Sequence, residues 1–121
     1  MSVWLYLAVA GLGALGAFLR FWLDTMVQRA VAGRFPFGTL VVNTSGCLAL
    51  GVLVGSSVTG DGELLAGTAF LGSFTTFSTW LLETERLAED GLTAAALMNL
   101  LGGLALGLAA AGGGWALGAA L

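Results

Sequence analysis

The chain has 121 residues, of which 58% are hydrophobic and only 9% charged, and its formal net charge is −3. Soluble domains hold about 25% charged residues, so the composition excludes a soluble globular fold. The acidic balance gives no electrostatic reason for a nucleic-acid partner or for an anionic membrane surface. At about 20 residues per crossing, the apolar stretches allow four membrane helices and leave no room for a separate soluble domain. The lone Cys47 lies inside an apolar run; it excludes an internal disulfide, argues against a metal site and reads as a small packed hydrophobe. No Lys or Arg precedes the first apolar stretch, so it does not read as a cleaved signal peptide and is expected to remain in the mature protein.

Span one is predicted over residues 3–23. Trp4 and Trp22 are 18 residues apart, about 27 Å along a helix, which places their indoles at the two interfacial belts of one bilayer. Gly11, Gly13 and Gly16 thin the middle of this helix for close contact. Arg20 falls within a turn of the span's end. It reads either as a side chain snorkelling to the interface or as an anchor that lends a positive field to a pore entrance. A polar connector, residues 24–36, carries Arg29 and Arg34 and ends at the only proline, Pro36, which suits the first turn of a helix.

Span two is predicted over residues 37–58. Thr39 and Asn43 are four apart and share a face. An Asn in an apolar span needs partners, so Asn43 either joins two helices or donates its NH2 to a desolvated anion. Gly46, Gly51 and Gly55 form a small-residue surface, Gly51 and Gly55 with GxxxG spacing. The loop 59–63 holds two acids and no base.

Span three, residues 64–82, contains the most unusual stretch, Gly72-Ser73-Phe74-Thr75-Thr76-Phe77-Ser78-Thr79-Trp80. Five of its nine residues are Ser or Thr and none is charged. Hydroxyls and a Gly at that depth can divert backbone hydrogen bonds from the helix ladder. Either these hydroxyls bond back to their own turn, or the helix is broken and offers backbone and hydroxyl groups to an ion. The connector 83–91, with Glu83, Glu85, Arg86, Glu89 and Asp90, reads as a solvated surface.

Span four is predicted over residues 92–115 within an apolar run that extends to Leu121. Asn99 is its only strongly polar interior residue. Gly102, Gly103, Gly107 and the Gly112-Gly113-Gly114 run read as packing surface. Connectors one and three hold Arg29, Arg34 and Arg86 while the other side holds no Lys or Arg. This favours both termini outside, by a thin margin that is also compatible with insertion in both orientations.

The span interiors contain no His, no Lys and no carboxylate, which removes the usual general acids, bases and proton carriers and argues against an enzyme. They do contain neutral donors: Thr39, Asn43, Ser73, Thr75, Thr76, Ser78, Thr79 and Asn99. Phe74 and Phe77 add ring edges of positive quadrupole potential. Burying an ion requires a ring of such dipoles in place of water, and neutral donors with ring edges suit a small anion better than a cation.

Three pieces, Gly16-Ala17-Phe18-Leu19-Arg20-Phe21, Pro36-Phe37-Gly38-Thr39-Leu40-Val41-Val42-Asn43-Thr44-Ser45-Gly46 and the 72–80 stretch, together resemble the Fluc (CrcB) fluoride channels over essentially the whole chain. The resemblance implies an all-α membrane protein of four transmembrane helices, the third broken mid-membrane. It further implies a dual-topology antiparallel dimer in the cell membrane, formed with a second copy or a paralogous subunit, with two fluoride pores. A structural Na⁺ at the dimer centre would be held by the backbone carbonyls of Gly72 and Thr75. The pore aromatics would be Phe77 and Trp80, with Phe74 nearby. Asn43 would form the pore floor, Thr39, Ser78, Thr79 and Asn99 would join the polar track, and Arg20 would match the family's span-one Arg. The implied function is passive, selective fluoride export. Trp80 stands where the family usually has a second Phe, and Asn99 and Gly103 stand where it often has Tyr and Ser. A small multidrug antiporter is the nearest alternative, but it resembles a family needing a Glu in span one, and this span has none. A non-transporting assembly subunit would explain the glycines but not the Thr/Ser-rich stretch beside aromatics.

Overall fold

In a bilayer every backbone N–H and C=O needs an internal partner, and a helix supplies one along its length. The computed structural model describes residues 1–121 and is all-helical, with no strand. Helix α1 spans Val3–Val31; the Ser2 hydroxyl accepts the Leu5 N–H at 3.3 Å and caps its start. Helix α2 spans Phe37–Gly55. Helix α3 is a wide-turned, π-type stretch, Glu63–Leu71, that runs on into Gly72–Phe74. Helix α4 spans Ser78–Glu89, and α5 spans Thr93–Ala120 with a second π-type segment at Met98–Gly102. By length and composition α1, α2 and α5 can each cross a membrane. The pieces α3 and α4 share the remaining apolar segment.

Two helices run further than the apolar spans suggest. The expected connector 24–36 is helical as far as Val31, because residues 24–31 hold no Gly or Pro and include good helix formers. The chain turns only at Ala32 and Gly33, where φ is 47° and 126°. Likewise α4 continues through the charged residues to Glu89 and stops before Gly91, whose φ of 79° suits a helix end. The Gln28 side chain ties the first turn: its Nε2 donates to the carbonyls of Gly33 and Phe35 at 3.2 and 3.0 Å, and its Oε1 accepts the Gly38 N–H at 3.1 Å.

Two pairs of helices meet through glycine. Gly51 and Gly55 on α2 lie against the backbone of Ala111 and Trp115, and Gly114 and Gly118 on α5 lie against that of Leu48 and Val52. A Cβ on Gly51 would stand 2.9 Å from the Trp115 nitrogen, and one on Gly118 would stand 2.8 Å from that of Ser56. Gly112 and Gly113 meet nothing, so of the glycine run only Gly114 serves this contact. Residue numbers rise together across it, so α2 and α5 run parallel. The same holds for α1 and α3, where Gly13 faces Ala69 and Ser73 while Gly16 faces Phe70 and Phe74. Alternate helices pointing the same way is the order of an up-down bundle with short connections.

Candidate functional site

Between Phe74 and Ser78 the backbone leaves the helix, and Thr75 is extended at φ −83°, ψ 160°. The groups this releases are met from α2. Asn43 Oδ1 accepts the Thr76 N–H at 2.8 Å, and Asn43 Nδ2 donates to the Thr76 carbonyl at 2.7 Å. Because Thr76 presents one donor and one acceptor, the amide can face it only one way. One N–H of the Asn43 NH2 is thereby used and the other is left over. Further along, the Thr76 hydroxyl accepts the Thr79 N–H at 3.2 Å, while the Thr75 hydroxyl bonds back to the Leu71 carbonyl at 3.1 Å. In an unbroken helix Thr76 N–H would serve the Gly72 carbonyl and Thr79 N–H that of Thr75. Both are diverted, and both carbonyls are left without a protein donor.

These groups line a cavity of about 370 Å³ whose wall includes Asn43, Gly72, Thr75, Phe77, Trp80 and Gly103. Phe77 is 69% exposed on this face, and its ring meets Trp80 edge-on, with centroids 5.6 Å apart and planes at 68°. The Phe74 ring instead stacks on Phe70 at 6.1 Å. Asn99 does not reach the cavity. It is 2% exposed, and its Nδ2 donates to the Thr84 hydroxyl at 2.8 Å and to the Trp80 carbonyl at 3.5 Å. Its own carbonyl accepts the Trp80 indole N–H at 2.9 Å.

A second cavity, about 150 Å³, brings together Arg20, Asp24, Thr39, Thr76 and Thr79. Thr76 lines both cavities, so the interrupted backbone separates them. Arg20 is half-buried, one turn before Asp24 on α1. Gly38 leaves the room that the Asp24 side chain takes against α2. Thr39, 3% exposed, donates its hydroxyl to the carboxylate of Glu83. This corrects the reading of Glu83 as part of a solvated surface. Helix α4 continues past Leu82 and holds the Glu83 carboxylate against α2, where a buried hydroxyl needs an acceptor. No local pattern marks Glu83 or Gln28, because their partners lie on another helix. Ser78 is exposed and lines neither cavity.

The model of the family described as CrcB-like protein, Camphor Resistance (CrcB), matches residues 7–115. A Mycobacterium bovis protein named fluoride-specific ion channel FluC 2 is 48% identical over 111 residues, covering 92% of this chain and 88% of its own. The Haloarcula marismortui protein of the same name is 48% identical over 103 residues, covering 85% and 84%. The Rubrobacter xylanophilus fluoride-specific ion channel FluC 1 is 44% identical over 120 residues, covering 94% and 96%.

Proposed function

Because the chain belongs to the CrcB family, we infer that it is a fluoride-selective ion channel, a multi-pass membrane protein and not an enzyme. It lets fluoride leave the cell passively and so relieves fluoride toxicity. An inside-negative potential drives the anion out with about 2.3 kcal/mol per charge for each 100 mV. The observation that carries the reading at the level of residues is the Asn43 amide. One of its N–H groups holds the interrupted backbone at Thr76, and the other remains for an ion in the cavity that Asn43 lines. Beside it Phe77 and Trp80 offer ring edges of positive potential. Neutral donors can replace the water around a small anion without holding it as tightly as a fixed cation would, which conduction requires.

We read the interruption at Thr75–Phe77 as a break of the third membrane helix, counting α3 and α4 as one crossing. The Arg20 cavity, on the other side of Thr76, is read as the aqueous approach, with Thr39 and Thr79 on its wall. The working unit is an antiparallel dimer with a second copy in the cell membrane. Support for this comes from the open face carrying Asn43, Phe77 and Gly72, which has no cover within one chain. The same face suits a structural Na⁺. Oxygen ligands fit a hard cation, and the Gly72 and Thr75 carbonyls lack protein donors. These two carbonyls from each of two copies would hold the ion, whose charge would fix the broken segments together.

The test is fluoride efflux from liposomes holding the purified chain alone, with chloride as the control anion. The expected result is rapid efflux of fluoride and none of chloride. Equal efflux of the two anions, or none from well-folded protein even with a co-expressed paralogous subunit, would overturn the reading.

A further inference from the structure

Trp80 presents a difficulty that a phenylalanine would not. An indole N–H is a strong neutral donor, and a donor free to meet a desolvated anion makes a short, charge-assisted bond. Sites that conduct must bind weakly enough to release. Here the donor is already engaged. Trp80 Nε1 donates to the Asn99 carbonyl at 2.9 Å, and that carbonyl also accepts the Gly103 backbone N–H, so both its lone pairs are in use. Asn99 is in turn held by Thr84 and by the Trp80 carbonyl, and Thr84 donates its hydroxyl to that same Trp80 carbonyl at 2.9 Å. Trp80 and Thr84 stand one turn apart on α4, as Asn99 and Gly103 do on α5, so the two faces close on each other. Gly103 is what admits the ring: a Cβ there would stand 2.7 Å from Trp80 Nε1 and 3.3 Å from Cε2. Real Cβ atoms do not approach that closely, so any side chain at 103 must displace the indole.

We propose that Asn99 and Gly103 are positioning residues for the anion path, locking the Trp80 indole so that its N–H is spent on the Asn99 carbonyl and only its ring is offered beside Phe77. The proposal rests on the fluoride-channel reading for its transport consequence, but the lock itself is a statement about one N–H. It explains why Asn99, the only strongly polar residue inside the fourth apolar segment, lies buried away from the cavity. It also makes residues 80 and 103 dependent on each other.

Two measurements test it. In liposome efflux, Gly103→Ala should slow fluoride about tenfold when Trp80 is present, a size usual for directly coupled neighbours. In the Trp80→Phe background, whatever rate that variant has, the same substitution should change it less than about twofold. An equal effect of Gly103→Ala in both backgrounds, or none in either, overturns the proposal. The second measurement needs no change at Gly103. With ¹⁵N-indole labelling, the resonance missing from Trp80→Phe is assigned to Trp80 in the unmodified protein. Its N–H should exchange slowly with D₂O and hold its shift through a fluoride titration. Fast exchange, or a saturable shift with fluoride, would show the N–H to be free for the anion and would overturn the lock. If the unmodified chain moves no fluoride even with a co-expressed paralogous subunit, the channel reading fails in the efflux arm while the indole measurement still decides the lock.

Discussion

The contact between α2 and α5 and the interruption between α3 and α4 are both made of small or hydroxylated residues, yet they solve opposite problems. At Gly51, Gly55, Gly114 and Gly118 two helices approach until their backbones touch, and every peptide group keeps its own ladder. Close packing of this kind is how helices associate where no hydrophobic force operates between them. At Thr75–Phe77 the ladder is abandoned, and the released groups are met by the Asn43 side chain, by the Thr76 hydroxyl, or left open. A glycine contact needs only the absence of a side chain. An interrupted backbone needs a specific partner wherever water is excluded, since each unmet group there costs several kcal/mol. Rigid contact on one side of α2 thus supports an exposed polar site on the same helix.

The packed side is the less tolerant of the two. Gly51→Val should abolish recovery of folded protein, because its side chain would strike the Ala111 and Trp115 backbone; the yield of monodisperse protein after size exclusion reads this. Next comes Asn43→Ala, which strands the Thr76 N–H and carbonyl. The cost is about 1–3 kcal/mol for each group, and fluoride efflux should be lost; thermal unfolding in detergent and liposome efflux check the two parts. Thr39→Val removes the hydroxyl bonded to Glu83 and should cost about 1–3 kcal/mol, seen as a lower unfolding temperature. Gly112→Ala should do least. Nothing lies within contact of that position, and replacing a mid-helix Gly gains roughly 0.5–1 kcal/mol, so the unfolding temperature should hold or rise slightly. Equal damage from Gly112→Ala and Gly114→Ala would dissolve the distinction between packing glycines and open ones.

The apolar segments are long enough to be read directly, and the four-residue spacing of Thr39 and Asn43 puts both on one face of α2. The Ser/Thr density of the 72–80 stretch marks it as different from its surroundings. The partners are another matter. That Asn43 meets the Thr76 backbone, that Thr39 meets Glu83 and that Gln28 ties the first connector all depend on which helices lie side by side. Among glycines, sequence treats Gly112, Gly113 and Gly114 alike, whereas only one of the three faces α2 in the packed bundle. Helix length is also hidden at the ends, since hydropathy reports where the apolar stretch stops and the backbone simply continues as helix, as α1 does from Asp24 to Val31.

Asn43→Asp is the decisive substitution, because it keeps the size of the side chain and an oxygen for the Thr76 N–H while replacing the donor with a carboxylate. Fluoride efflux should be abolished in liposomes holding protein whose size-exclusion profile and helical circular dichroism match the unmodified chain. Unchanged, fluoride-selective efflux from Asn43→Asp would show that no donor at this position serves the anion, and the account of the interrupted backbone as the functional site would be wrong.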